Sequence, residues 1–408
     1  MANQSSKPGL YLHIPFCKSR CSYCDFATDV YRDSGAVERY VDALCREIRT
    51  EPRSLANREK DAEREGRGDA ENVTAVIPVS PRLSVSPSYV KPIDTIYFGG
   101  GTPSLLEPEQ IERVLNAVTS VYSVAESAEI TMEMNPATVT LEKLDAYKRL
   151  GINRASFGVQ TFNERDLKLL ARGHDANDAR QTYRMLRESG FANISFDLIA
   201  GLPGQTVEDW SRNLDEAIAM EPEHLSLYLL EIHESTPLAE QVRSGRRTPI
   251  EDELAAEMYE MMLDRLAAAG YEQYEISNFA KPGFESRHNT KYWRLEPVVG
   301  FGVSAHSFDG RERYANERDT ARYVEMIERT GSAETYRETI NLASEFAFLG
   351  LRMNQGISVS AYVNRFGSVL MESISRLNES GLVEISEGHL RLTRKGMLYS
   401  NEVFVELI

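Results

Sequence analysis

From Leu10 to about Leu230, short runs of β-branched and aromatic residues alternate with longer stretches in which apolar residues recur every three or four positions. The first pattern reads as buried strand and the second as amphipathic helix. Strands fall at Leu10–Ile14, Ile93–Phe98, Glu129–Met134, Arg154–Val159, Ile194–Ile199 and His224–Leu230. Helical periodicity is clearest over Ala36–Ile48, Pro108–Val121, Leu141–Leu150, Ala179–Glu188 and Val207–Ala219. Strand and helix in alternation predict an α/β fold around a parallel sheet. These six units are fewer than a closed barrel needs, so the pattern predicts an open, partial (β/α)6 barrel with its chemistry in the loops after the strands.

The rhythm divides the chain into the start of the barrel (1–52), an insertion (53–92), the remainder of the barrel (93–270), a connecting region (271–338) and a C-terminal unit (339–408). The insertion is charged, then Ser- and Pro-rich, with too few apolar residues for a core, and is expected to be disordered or a lid. The connecting region offers a β-like piece at Tyr274–Ile276 and then the dense group His288, Asn289, Tyr292 and Trp293. In the last unit, helices at Ala343–Met353, Val359–Phe366 and Val369–Glu379 precede a hairpin, Leu382–Ile385 and His389–Leu392 about Ser386–Gly388. That is the outline of a small α+β winged-helix-like domain. Glu372, Glu379, Glu384 and Glu387 make it a poor DNA reader, and it reads as a lid or docking module.

Composition narrows the class. With 42% apolar and 26% charged residues over 408 positions, the chain is globular, and no apolar run is long enough for an integral membrane segment. The opening MANQSSKPG has no signal-peptide pattern, so a cytoplasmic, reducing location is expected. A net charge of −16 repels nucleic acid, so no nucleic-acid partner is expected; it also keeps a protein soluble, and identifies no partner by itself.

Cysteines in that setting are ligands or reagents more often than disulfides. Cys17, Cys21 and Cys24 follow the first strand within eight residues. Loop thiolates converging on a metal suit Zn, Cu(I) or an iron–sulfur cluster, and spacing alone does not choose. A structural zinc site wants four ligands, commonly two separated pairs, and no second pair exists. His13 is a conceivable fourth ligand only by turning back over Cys17. Three ligands on a [4Fe–4S] cube leave one iron open, able to chelate the amino and carboxylate groups of S-adenosylmethionine (SAM). Cys45, on an apolar helical run, reads as a core residue.

Polar groups recur at the strand ends. Phe98-Gly-Gly-Gly-Thr-Pro103 brings backbone close to a ligand or simply makes a tight turn. Glu133 is a carboxylate in an apolar strand, requiring strong donors or a salt bridge. Gln160, Arg172 and Asp197 lie in or beyond later strands. Together they suit a nucleoside and an amino acid better than unrelated ion pairs.

The C-x3-C-x2-C spacing resembles the radical SAM superfamily. Tyr-Leu-His-Ile-Pro-Phe-Cys, Phe-Gly-Gly-Gly-Thr-Pro, Glu-Met-Asn-Pro, Ser-Phe-Gly-Val-Gln, Leu-Ala-Arg-Gly-His and Asp-Leu-Ile-Ala-Gly-Leu-Pro-Gly-Gln resemble, within it, the oxygen-independent coproporphyrinogen III oxidase group. The resemblance implies a radical SAM barrel whose [4Fe–4S] cluster is held by Cys17, Cys21 and Cys24. It implies that Gly100, Gly101 and Thr102 receive the methionine amino group, and that Tyr11, Tyr23, Glu133, Gln160, Arg172 and Asp197 line the SAM site.

The group holds true oxidases, which decarboxylate porphyrinogen propionates, and a haem-chaperone branch. Oxidases carry another cysteine two positions after the third ligand, where this chain has Phe26. His288-Asn-Thr-Lys-Tyr-Trp293 is similar to the signature of the chaperones. That resemblance implies haem binding at His288, Asn289, Tyr292 and Trp293, haem-accepting partner proteins and an electron donor. Imidazole is a common haem ligand and the aromatic pair offers flat apolar surface. A lone histidine beside aromatics is also commonly a hydrogen-bonded core residue. His306 is a second candidate, with burial in a strand as its competing role. No residue is assigned as catalytic.

Overall fold

The structure is a computed structural model that describes residues 7–31, 33–50 and 92–407; the expected insertion lies outside these apart from Pro92. All six barrel strands form: β1 (Gly9–Ile14), β2 (Ile93–Gly100), β3 (Val124–Met134), β4 (Arg154–Gln160), β5 (Ile194–Ala200) and β6 (His224–Leu229). Each pairs in parallel with the next. The helices are α1 (Ser34–Thr50), α2 (Pro108–Thr119), α3 (Leu141–Arg149), α4 (Ala176–Glu188) and α5 (Val207–Ala219). Their starts are chemically marked. Pro108 occupies the first turn of α2, Thr140 caps α3, and Asp175 and Thr206 each form a capping box.

Alternation along the strands sorts two surfaces. Ile96, Phe98, Met132, Met134, Phe157, Val159, Phe196, Leu198, Leu225 and Leu227 join α1–α5 in one apolar core. The opposite face carries Tyr11, Tyr97, Glu133, Ser156, Asp197 and Ser226. Registers set Tyr11 beside Tyr97, Glu133 beside Ser156, and Asp197 beside Ser226. The concave side of the sheet is therefore a polar lumen.

Residues 271–338, expected as a connecting region, add strands to both edges. β7 (Glu272–Glu275) and β8 (Asn278–Ala280) follow β6; β9 (Val298–Phe301) lies parallel to β1, and β10 (His306–Phe308), β11 (Glu312–Asn316) and β12 (Glu334–Thr339) continue antiparallel. Among the described residues the sheet thus has twelve strands. His306 corrects an expectation: it opens β10 but is exposed, because the pleat turns the next residue inward, where the Ser307 hydroxyl accepts the Gly300 N–H at 2.9 Å.

The helical layer continues with α6 (Asp252–Ala268), which packs on α5, and α8 (Thr320–Thr330), which packs on α1, while α7 (Arg287–Trp293) lies against β2. The C-terminal unit contains α9 (Leu342–Leu351), α10 (Val359–Phe366) and α11 (Met371–Glu379) with a three-stranded sheet of β13 (Ile357–Ser358), β14 (Val383–Ser386) and β15 (His389–Leu392). Its hairpin turns at Glu387 and Gly388, both with positive φ, 51° and 76°. A separate core, including Leu351, Tyr362, Ile374, Leu377 and Leu390, holds it together. Among the described residues no helix is long and apolar enough to cross a membrane.

Candidate cluster and nucleoside site

The three cysteines occupy the loop after β1. Phe16–Cys17 pairs in parallel with Asp29–Val30, which ties the loop at its neck. Its far side docks on the turn after the short helix Glu164–Leu169: Ser22 N–H donates to Leu170 O at 3.0 Å and Ser22 Oγ to Leu169 O at 2.8 Å. That turn also carries Arg172, whose Nη1 lies 3.4 Å from Cys21 Sγ, while Thr102 Oγ1 approaches Cys17 Sγ at 3.6 Å. Burial pushes the Cys17 thiol up to about 11, with Thr102 working against it, and raises Cys24 for the same reason. As bare thiols they hold their protons, and a bound metal would have to displace them. Among the described residues no three His, Cys, Asp or Glu side chains converge as a single-ion site. A cluster asks less convergence, since each cysteine binds a different iron. His13 does not turn toward Cys17: Nε2 bonds Ala27 O at 2.9 Å and Nδ1 the Tyr11 hydroxyl at 3.1 Å.

The Gly-rich turn sits against this loop. Gly100 has φ +107°, and a Cβ there would lie 2.5 Å from the His13 ring; one on Gly101 would lie 2.7 Å from the Pro15 carbonyl carbon. Only glycine permits this approach. The amides are used internally: Gly100 N–H donates to Glu133 Oε2 at 3.0 Å, Gly101 N–H to Ile14 O and Thr102 N–H to Phe16 O, both at 2.8 Å. These three residues therefore keep no free amide donor for a ligand.

Glu133 finds hydrogen-bond donors rather than a salt bridge. Besides Gly100, it accepts from the Tyr97 hydroxyl at 2.8 Å. Burial still raises its carboxyl to about 7, and burial raises Asp197 to about 6 despite the nearby positive charge of Arg154 and a bond from Ser226. Arg172 donates Nη2 to Asn135 Oδ1 at 2.7 Å and to Gly158 O at 2.8 Å, and Asn135 Nδ2 donates to Thr102 Oγ1 at 2.7 Å. Gln160, at φ +66°, folds over Gly158, where any Cβ would clash with its amide. Tyr23 packs on the cluster formed by Leu169, Leu170, Ile199, Leu202 and Leu238. Burial raises its hydroxyl, and the nearby Arg172 opposes the shift. Tyr228, two residues beyond Ser226 on the same side of β6, is 42% exposed and lies at the open side of the lumen.

Most residues expected around SAM thus meet at one rim beside the thiols. Sequence reasoning missed Tyr97, Asn135 and Arg154. The strand alternation before the Gly-rich turn was a signal for Tyr97, and the Glu-Met-Asn-Pro motif one for Asn135. Arg154 is buried, with an Nε that has no hydrogen-bond partner among the described residues.

The haem motif is not gathered on one face. His288 points into the floor of the lumen, 1% exposed, with Nδ1 2.9 Å from Thr95 Oγ1 and Nε2 3.2 Å from the Tyr292 hydroxyl. Its backbone N–H donates to Glu129 Oε1 at 3.0 Å, and its ring stacks on Tyr97 with centroids 5.0 Å apart. Burial, assisted by Lys291 and Arg154, lowers its pKa to about 3, so it is neutral. Trp293 points elsewhere, under the Arg352 guanidinium of the C-terminal unit, and Asn289 is half-buried on α7.

Residues 88–217 match the Radical SAM superfamily and residues 339–399 the HemN C-terminal domain. The cysteines precede the first match, yet fold onto Thr102 and Arg172 within it. The chain is 34% identical over 404 residues to the haem chaperone HemW of Bacillus subtilis, covering 97% of each protein. It is 34% identical to HemW of Escherichia coli over 73% of this chain and 69% of that protein. It is also 32% identical to the mitochondrial radical S-adenosyl methionine domain-containing protein 1 of Danio rerio, over 86% of this chain and 73% of that one. Coproporphyrinogen III oxidase (HemN) from Escherichia coli shares the fold, with TM-score 0.79 at 22% identity over 100% of this chain and 91% of that structure.

Proposed function

This chain belongs to the HemW family of radical SAM proteins, and from that premise we propose that it is a haem chaperone that binds haem, a [4Fe–4S] cluster and SAM and delivers haem to acceptor proteins. The observation that carries the cofactor half is the contact of Cys17 with Thr102 and of Cys21 with Arg172 at the rim of the polar lumen, with Cys24 in the same loop. Hydroxyl and guanidinium donors beside sulfur suit thiolates, which need positive charge and hydrogen bonds to stay ionised. Phe26, 67% exposed where an oxidase has a further cysteine, supports the chaperone branch over the oxidase.

In this reading Cys17, Cys21 and Cys24 would hold the cluster, which when bound would supply a binding site for SAM and one-electron reduction. The chain's own residues bind and orient. Glu133 and Asp197 offer carboxylate acceptors in the lumen, Tyr97 and the Gly100 amide fix the direction of Glu133, and Arg172 ties Asn135 and Gly158 into the same wall. Ligation of haem iron by His288 requires one of its two ring nitrogens to give up its present partner.

The test uses protein reconstituted without air. Haemin titration should give stoichiometric uptake that is lost in His288→Ala, with no vinyl product formed from coproporphyrinogen III, reductant and SAM. Decarboxylation without haem uptake would instead make it an oxidase. Material without iron and sulfide after reconstitution would remove both readings.

A further inference from the structure

The haem motif and the SAM rim are joined through one side chain, Tyr97. His288 is stacked on Tyr97 at 5.0 Å with 26° between the ring planes, and on Tyr11 at 6.4 Å and 29°. Tyr97 in turn donates to Glu133 Oε1 at 2.8 Å, and Glu133 Oε2 accepts the Gly100 N–H at 3.0 Å. The turn begun by Gly100 is bonded through Gly101 and Thr102 to Ile14 and Phe16, at the neck of the cysteine loop. A continuous set of contacts therefore runs from the floor of the lumen to its rim.

We propose that His288 is a positioning residue for the SAM site, acting through Tyr97 on Glu133, and that haem iron and SAM consequently compete for its orientation. The physical reason is the absence of a spare nitrogen. A ring with Nδ1 on Thr95 and Nε2 on Tyr292 has no lone pair free for iron, and its buried edges leave no space for a metal to approach. To ligate, the imidazole must swing out of the lumen, which takes the flat wall away from Tyr97. Tyr97 then has one face unsupported, and its hydroxyl is less firmly aimed at Glu133. Linkage makes the effect mutual: whatever haem does to SAM affinity, SAM does to haem affinity. SAM binding thereby favours the inward, iron-free position of His288, which favours haem release.

This inference rests on the proposed haem and SAM binding, so the experiment first measures both on reconstituted wild type. The readout is the dissociation constant for labelled SAM by anaerobic equilibrium dialysis, with and without haemin. His288→Ala and Tyr97→Phe should each weaken SAM by about five- to tenfold, a range at the lower end of measured couplings. The double variant should lose less than the product of the two. His288→Phe keeps a ring against Tyr97 and should restore SAM affinity to within about twofold of wild type, while haem ligation stays lost. A merely structural role would lower thermal stability without this rescue. Haemin should weaken SAM binding to the wild type and not to His288→Phe. Unchanged SAM affinity in folded His288→Ala, multiplicative effects in the double variant, or indifference of wild type to haemin would each overturn the proposal. Wild type that binds neither ligand would instead overturn the function on which it rests.

Discussion

The guanidinium of Arg352 lies over the Trp293 ring, 4.5 Å from its centroid, and is ion-paired with the buried carboxylate of Glu275. One end of the His-Asn-Thr-Lys-Tyr-Trp motif is thus fastened to the C-terminal unit while the other plugs the lumen.

The pairing fixes an order of severity. Arg352→Met leaves Glu275 buried without its cation and should cost about 3–5 kcal/mol. Trp293→Leu keeps an apolar side chain in place, removes chiefly the aromatic face under the guanidinium, and should cost about 2 kcal/mol. Denaturant midpoints of the two variants check this, and a milder effect from the arginine change would show that Glu275 is satisfied without it.

Gly101→Ala should displace the cysteine loop while the barrel stays folded. Its Cβ would lie 2.7 Å from the Pro15 carbonyl carbon and 2.8 Å from Phe16 O, both backbone atoms that cannot rotate aside. Iron and sulfide after reconstitution should fall severalfold at unchanged far-UV circular dichroism. Full incorporation would mean that the loop has slack.

Buried ionisable groups give opposite pH signatures. Burial holds His288 down to about 3, so its contribution to stability is complete above its unfolded value of 6.5 and is lost as pH falls from there toward 3. Over that window the advantage of wild type over His288→Gln should shrink by about 1.4 kcal/mol per pH unit. Glu133 is raised from 4.5 to about 7, so its ionisation costs stability as pH rises between those values. Glu133→Gln should therefore gain on wild type by a similar slope as pH rises through that range. Stability differences that stay flat with pH would place both groups in contact with water.

Arg172→Met tests the electrostatics of the thiol loop. The change leaves Asn135 Oδ1 and Gly158 O without their donor, which should cost about 2–4 kcal/mol. It also removes a positive charge next to Cys21, so the reduction potential of a reconstituted cluster should become more negative. Protein-film voltammetry reads that shift directly, and a potential that rises would contradict the assigned neighbourhood.

The barrel was legible because its strands are apolar on the helix-facing side and two of them, β2 and β5, run into glycines with positive φ, so each boundary fell within a few residues of the structure, β3 beginning earliest relative to expectation, at Val124. β9, β11 and β12 were not legible. Val298–Phe301 is short and interrupted by Gly300, Glu312–Asn316 is a mixed polar and apolar run held by a strand on each side, and Glu334–Thr339 is a mostly polar edge strand held by pairing rather than burial. At the rim, cysteine spacing and glycines announced themselves, because close backbone approach has a residue signature. Tyr97 and Asn135 carried a position signal but not a role, since their roles depend on partners 36 and 33 positions away respectively. For His288 the sequence offered a chemical type but not a direction, and the direction is what sets it against Thr95 and Tyr292.

A strand that presents oil to its helices and hydroxyls or charges to the lumen separates two selective pressures. Folding is driven from the jacket, where Phe98, Met132, Phe157 and Leu227 pack. The inner lining, with Ser156, Asp197 and Ser226, contributes little to that drive, so relatives can exchange inward residues and acquire a new guest or reaction while inheriting the same vessel.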